Sequence, residues 1–264
     1  MSSDPKDEDY LAAAEAAARA GGAVLNAWAG KFTVSEKGPA DLVTEADVAS
    51  EAAIYEVLQA RFPGHGFLGE EGLQSTSAHE EFRWLIDPLD GTSNYVHRFP
   101  YYAVSIALEH RGRLEAGVIY DPTRDELFAA RRGRGAAVNG VPLRVSRFAQ
   151  LSQAMVIASF PPGVTADSLA IRRFLTVLPH AQTIHRSGSS ALNLAYVAAG
   201  RLDGYWSTSL KPWDMAAGAL IVAEAGGRVT RLDGEPLDIE VPDLLCTNGT
   251  RIHEELSTLL SSHT

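Results

Sequence analysis

Two aspartates three residues apart, Asp87 and Asp90, stand with a proline and a Gly-Thr pair in the segment IDPLDGTSNY, residues 86–95. They follow the strand-like run EFRWLI, so both are expected where a strand gives way to a turn, a natural place for reacting groups. Asp and Gly also favour turns for backbone reasons alone, and the pair by itself reads equally well as a solvated turn. Two further acidic groups fall at element ends: Glu70 and Glu71 in LGEEG, and Asp214 at a helix start in KPWDMAAG. Each has its own plain explanation, since the glutamates can be solvated and Asp is favoured in a helix's first turn. Were Glu70, Asp87, Asp90 and Asp214 to converge, four negative charges would meet in a partly buried place and some carboxyls would have to stay protonated. Divalent cations remove that conflict. An all-oxygen donor set without clustered His or Cys favours Mg²⁺ over zinc, and Pro88 with Gly91 would shape the turn so that the Leu89 carbonyl also faces the ion. Beside the metals, the backbone N–H groups of Gly91 and Thr92 would offer an anion site, because glycine permits close approach. A phosphate fits there, and metal-assisted hydrolysis of a phosphomonoester is the chemistry such a site performs.

The elements that must position these groups follow from periodicity. Residues 9–29 are alanine-rich with helical spacing and end at Gly30; a second helical pattern runs from Ala46 to Arg61 and stops before Pro63. PGHGFLGEEG reads as a loop and short strand. After IDPLDG come YYAVSIALEH, LEAGVIYDP and DELFAARRG, alternating or β-branched runs separated by turns, which predict an antiparallel meander. From about residue 150 the character changes to alternating strands and helices: QAMVIASF, SLAIRRFLTVL, QTIHR, SSALNLAYVAAG, DGYWSTS, WDMAAGALIVAEAGG, GRVTRL and RIHEELSTLL. The expectation is an α/β (α+β layered) protein in two halves. Residues 1–149 carry most of the acidic groups, residues 150–264 carry Asp214, and no linker separates them.

Composition narrows the partners. The chain has 264 residues, 45% of them hydrophobic and 21% charged, which suits one large or two intimate folded units. Its formal charge of −10 disfavours nucleic acid as the main partner. The acidic start, MSSDPKDEDY, is unlike a secretion signal, and no apolar run approaches the roughly 18 residues of a membrane span, so a soluble cytoplasmic protein with no membrane partner is expected. The single cysteine, Cys246, lies in an apolar run and is read as a buried strand thiol.

Four segments, in this order and spacing, resemble the inositol monophosphatase family of Mg²⁺-dependent, lithium-sensitive phosphatases: GPADLVTEAD (38–47), GEEG (69–72), IDPLDGTSNYVHRFP (86–100) and WDMAAGALIVAEAGG (213–227). The resemblance covers nearly the whole chain. It implies a fold of alternating helix and sheet layers (an αβαβα sandwich), a homodimer, and two or three Mg²⁺ per active site. By the same resemblance Glu70, Asp87 and the Leu89 carbonyl hold one metal, and Asp87, Asp90 and Asp214 hold a second. Glu70 and Thr92 position the attacking water, and Asp47 accepts a hydrogen bond from Thr92. Lys37 matches a mobile loop that can approach the metals, although a solvated surface lysine is an equally plain reading. Glu71 supports the surroundings of Glu70.

Substrate selection is read at the second half. Ser189, Ser190 and Ala191 match positions that bind substrate hydroxyls in the family, together with Asp90 and Asp214. In DGYWSTSLKPWD, where inositol-selective members carry a glutamate, this chain has Ser207. A carboxylate able to accept two sugar hydroxyls is therefore missing, which favours either weaker inositol phosphate binding or another substrate. Lys211 nearby would suit a second negative group, or is a surface lysine. The expected substrate is an inositol-type or sugar monophosphate, followed by fructose 1,6-bisphosphate and histidinol phosphate. A protein that binds a phosphate ligand without turning it over is the alternative of another class; its expected mark, loss of a metal carboxylate or of Thr92, is absent.

Overall fold

The protein is described here from a computed structural model covering residues 5–38, 41–76, 82–161 and 163–262. The alanine-rich opening forms α1 (Pro5–Trp28); β1 (Val34–Gly38) and β2 (Asp41–Thr44) then pair antiparallel and lead into α2 (Glu45–Arg61). Thr44 caps α2 through a capping box, its hydroxyl accepting from the Ala46 N–H while its own N–H donates to Asp47.

A large sheet follows, built from β3 (Gly66–Gly69), β4 (Gln74–Ser75) and β5 (Phe82–Asp90), then, past the short helix α3 (Thr92–Val96), from β6 (Ala103–His110), β7 (Arg113–Asp121), β8 (Glu126–Arg131), β9 (Gly135–Val138) and β10 (Val141–Pro142). The strand order is β10-β9-β8-β7-β6-β5-β3-β4, with the expected antiparallel meander from β5 onward and one parallel pair, β3 with β5. The second half continues with β11 (Met155–Ala158), α4 (Leu169–Val177), β12 (Thr183–His185), α5 (Ser190–Ala198), β13 (Gly204–Ser207), α6 (Pro212–Glu224), β14 (Arg228–Thr230), β15 (Leu244–Thr247) and α7 (Ile252–Ser261). Its strands order as β12-β11-β13-β15-β14. Only the β12-β11-β13 pairs are parallel, so β15 inserts antiparallel between β13 and β14, an arrangement that alternation of elements does not reveal.

Strand alternation sorts the core into layers. Trp84, Ile86, Val104, Ile106 and Val118 face α1 and α2, where Ala13, Ala14, Ala17 and Ala18 let the first helix approach closely. Leu85, Ala107, Ile119 and Phe128 face the other way onto α5 and α6, which in turn cover Ile157, Tyr205 and Cys246 of the second sheet. Val156, Trp206 and Leu245 on its outer side pack under α4 and α7. The result is a helix–sheet–helix–sheet–helix sandwich. α6 lies directly on the large sheet because Gly117 of β7 has no side chain: a Cβ there would sit 2.9 Å from the Ala217 carbonyl oxygen.

Candidate active site

The strand β5 does not end before the two aspartates, as the sequence suggested, but runs through them to Asp90. It does so by a bulge. Asp87 pairs with Ser105 and Asp90 with Ala103, so Pro88 and Leu89 together oppose a single partner residue, Val104. Pro88 has no N–H to give the ladder, and a bulge is one of the few places in a sheet where that costs nothing. Gly91 then turns the chain at φ 104°, ψ 36°, a left-handed conformation that suits glycine, and opens α3. A Cβ at Gly91 would also press on the Tyr101 carbonyl at 3.1 Å and Tyr102 at 3.2 Å.

The bulge gathers the carboxylates. Asp87 is buried, with one oxygen accepting from the Leu89 N–H at 2.9 Å and a further hydrogen bond to Glu70. Burial, then the charges of Glu70, Asp90 and Asp214, push its carboxyl well above the usual range. Asp214 is raised likewise, by burial first, with Asp90 and Glu70 adding to it and the Lys211 N–H, donating at 2.7 Å, opposing it. Burial raises Asp90 to about 6, against three hydrogen bonds that favour its charged form. These come from the Ser189 hydroxyl, the Ser190 N–H at 3.1 Å and the Ala191 N–H at 2.7 Å, so Asp90 seats on the N-terminus of α5. The three residues expected to greet substrate hydroxyls thus donate to Asp90 here.

Asp47, the third residue of α2, is fully buried, and burial raises its carboxyl despite hydrogen bonds from Thr44 and Thr92. One oxygen takes both Thr44 donors, at 2.8 and 2.6 Å; the other takes the Thr92 hydroxyl at 3.1 Å, which also lies 3.2 Å from the Leu89 carbonyl. Sequence reasoning missed Asp47's neighbours on α2. Ser50 donates to the Pro88 carbonyl at 3.1 Å and holds the bulge. Glu51 accepts from the Glu71 and Leu73 N–H groups at 3.0 and 3.2 Å and holds the GEEG loop, with Gly69 leaving room for it. Three polar residues at i, i+3 and i+4 on one helix face were the available signal. Glu71 therefore contributes its backbone to the support of Glu70. Two more were missed: Asn94 bridges the Tyr101 and Ser187 carbonyls at 2.7 and 2.8 Å, and Ser105, opposite Asp87, donates to the Trp213 carbonyl at 3.1 Å beside Asp214.

At the far wall Tyr205 donates to the Ser190 hydroxyl at 2.9 Å. Ser207, two residues on along β13, shares that face, is fully buried, and its hydroxyl makes no hydrogen bond of normal geometry. Lys211 is exposed at the start of α6. Lys37 falls in β1, but its side chain lies outside the described residues. Cys246 is buried in β15, where burial pushes its thiol up, in keeping with a structural role.

Among the described residues, no three acidic, His or Cys side chains already enclose one point at ligation distance. The carboxylates are turned instead to protein donors and to each other, yet they fit divalent cations: Glu70, Asp90 and Asp214 all raise Asp87 by like-charge repulsion, and every donor is oxygen.

A model of the inositol monophosphatase family matches residues 6–264. The inositol-1-monophosphatase of Synechocystis sp. is 43% identical over 252 residues, covering 95% of this chain and 88% of that protein. The Nus factor SuhB of Pseudomonas aeruginosa is 42% identical over 237 residues, covering 88% of this chain and 87% of its own. The crystal structure of the extragenic suppressor protein suhB from Bartonella henselae superposes with a TM-score of 0.92 at 39% identity, covering 97% of this chain and all of that one. Matched along nearly its entire length in sequence and in fold, the chain belongs to the inositol monophosphatase family and is a phosphoric monoester hydrolase.

Proposed function

We propose that the protein hydrolyses a small polyol or sugar monophosphate with Mg²⁺, two or three ions per site. The observation that carries this reading is the Thr92 hydroxyl donating to buried Asp47 beside four mutually repelling carboxylates. Glu70, Asp87 and the Leu89 carbonyl would hold one ion and Asp87, Asp90 and Asp214 another. Bound there, Mg²⁺ supplies Lewis acidity to the phosphoryl oxygens, the attacking water and the leaving alkoxide. The remaining work falls to the chain. By donating its hydrogen bond to Asp47, Thr92 would leave an oxygen lone pair to accept from the water, with Glu70 as the second acceptor that orients it. The N–H groups of Gly91 and Thr92, at the start of α3, would receive the phosphate oxygens. Residues 1–149 and 150–264 act as two halves of one site, since Asp90 from the first is seated by Ser189, Ser190 and Ala191 of the second.

The name of the Synechocystis relative supports inositol monophosphate as substrate. Ser207, a neutral hydroxyl in a buried wall, supports less selective reading of the polyol, with fructose 1,6-bisphosphate and histidinol phosphate as alternatives. The Nus factor name of the Pseudomonas relative supports a second, non-catalytic regulatory role. A net charge of −10 weighs against a nucleic-acid backbone as its partner. No helix among the described residues is long and apolar enough to cross a membrane, and we place the protein in the cytoplasm as a homodimer. The test is Mg²⁺-dependent phosphate release from inositol phosphates, fructose 1,6-bisphosphate, histidinol phosphate and adenosine 3′,5′-bisphosphate, with Asp90→Asn as blank. Release from one compound well above the rest names the substrate; metal binding with no release from any overturns the catalytic reading.

A further inference from the structure

One turn along α3 from Thr92, a cavity of about 560 Å³ opens between the end of α1 and the loop after α3, lined by Ala29, Gly30, Lys31, Tyr95, Arg98, Pro100 and Tyr102. None of the four site carboxylates lines it. We propose that this cavity binds a phosphoryl oxyanion, held by Arg98, Lys31 and the Tyr102 hydroxyl, at a site separate from the catalytic carboxylates.

Arg98 carries the argument. It follows α3 with φ 58°, a left-handed conformation that helix ends normally give to glycine or asparagine and that a long side chain adopts only at a cost. The guanidinium lies over Gly30, 3.4 Å from the point where a Cβ there would stand, at the mouth of the cavity. Yet it has no ion pair and no hydrogen bond to any described residue, unlike Arg19, Arg83, Arg124 and Arg201, each of which has a carboxylate within 3 Å. Beside it, Lys31 gives one hydrogen bond, to the Ala27 carbonyl at 3.1 Å, and has two donors left. Two cations are thus brought together without an anionic partner on a chain of formal charge −10, where carboxylates to pair them are plentiful. The third group is Tyr102, only 8% exposed, whose ring packs on Tyr95 and whose hydroxyl makes no hydrogen bond to any described residue. Lining the cavity, that hydroxyl is free to donate to an oxygen of a ligand that enters it. Asp121, whose charge acts on Tyr102, does not fill that role, being held by Arg124 at 2.8 Å and by Thr123. A planar guanidinium, an ammonium and a phenol hydroxyl around one opening match a tetrahedral oxyanion, and the Tyr95 and Tyr102 rings leave an apolar flank for a small organic body.

Phosphate could reach this cavity free or as the head of a phosphomonoester, so both are probes. The full-length chain is titrated by calorimetry with inorganic phosphate and with phenyl phosphate, with Mg²⁺ and with EDTA, at about 0.15 M salt, where charges beyond about 8 Å are screened. The same titrations are run on Arg98→Ala, Tyr102→Phe and Asp90→Asn. One phosphate per chain should bind with EDTA present; Arg98→Ala should weaken it at least tenfold, Tyr102→Phe severalfold, and Asp90→Asn not at all. Tighter binding of phenyl phosphate than of phosphate would assign the apolar flank to an organic body, and equal binding would assign the site to the free ion. Phosphate should also raise the melting temperature of the metal-free wild type but not of Arg98→Ala, an exposed position that can be replaced without unfolding. Binding only with Mg²⁺ and lost in Asp90→Asn would place the ion in the catalytic site and overturn the proposal, as would binding unchanged in Arg98→Ala.

Discussion

For the proposed cation site Asp90 answers to two demands at once: to ligate it has to be ionised, and burial works against that, raising its carboxyl to about 6. The donors from Ser189, Ser190 and Ala191 oppose the shift. Asp90→Asn keeps the size and removes the charge, so turnover at saturating Mg²⁺ should fall by orders of magnitude; near-normal steady-state rates would remove Asp90 from the ligand set. In the proposed mechanism Thr92, a poor base by itself, depends on its hydrogen bond to Asp47. Thr92→Ala should lower kcat by roughly 10²- to 10⁴-fold, the usual worth of a positioned proton acceptor, with a small change in KM. A rise in KM alone would make Thr92 a binding residue. At Ser207, restoring a glutamate should raise the ratio of kcat/KM for inositol phosphate over a simple phosphomonoester. An unchanged ratio would show that this wall does not read the polyol.

Helices α2 and α6 place these groups, each through a close approach that one glycine permits. On α2, Asp47, Ser50 and Glu51 form a buried polar stripe that grips Thr92, the β5 bulge and the GEEG loop. Glu51 reaches its backbone donors past Gly69, where a Cβ would stand 2.0 Å from a Glu51 oxygen. Gly69→Ala should therefore expel Glu51 and leave two N–H groups unsatisfied, costing about 1–3 kcal/mol for each that stays buried. Urea denaturation would show this, and the Mg²⁺ concentration for half-maximal activity should rise as Glu70 loosens. On α6, the contact of Ala217 with Gly117 sets how far Asp214 stands from Asp87. Gly117→Ala should lift the helix at a cost of about 1–3 kcal/mol and, with Asp214 displaced from the proposed metal site, raise the Mg²⁺ concentration for half-maximal activity. Unaltered stability would mean that α6 shifts freely on the sheet.

Stability of the whole molecule should depend on pH through two histidines held neutral. His253, buried between the hydroxyls of Thr230 at 3.0 Å and Thr247 at 2.9 Å, is lowered to about 4 by burial, then by Arg228. His65, which accepts from the Trp84 indole at 3.0 Å, is also lowered to about 4, by burial and then His110. An unfolded imidazole titrates near 6.5, so below that pH the unfolded chain binds protons that the folded chain refuses. Stability is complete above about 6.5 and is lost as pH falls from there toward 4. The carboxylate cluster, with raised values, acts in the opposite sense, so the measurement is made in saturating Mg²⁺ and compared with His253→Gln. Its loss of urea midpoint between pH 7 and 4.5 should be smaller than that of the wild type; equal slopes would clear His253 of the effect.

The sequence by itself determined the longer elements and the identity of the acidic groups, but not the short strands β1, β2, β4, β9 and β10. Helical spacing in residues 9–29, strand alternation from Tyr101 to Arg131 and ordered acidic motifs at element ends are local patterns, because helix and strand periodicity is written every few residues. The tertiary structure decided what meets what. That β15 inserts antiparallel beside β13 depends on a pairing across tens of residues, for which no local pattern codes. The bulge that carries Pro88 inside β5 reads locally as a strand end, since only the partner strand β6 shows that pairing resumes at Asp90. Nothing local marks what Ser50, Glu51, Asn94 and Ser105 hold; only their distant acceptors and donors make them supports of the site. Asp90 and the start of α5, a hundred residues apart, come together because a buried carboxylate needs N–H partners and a helix N-terminus has them to give.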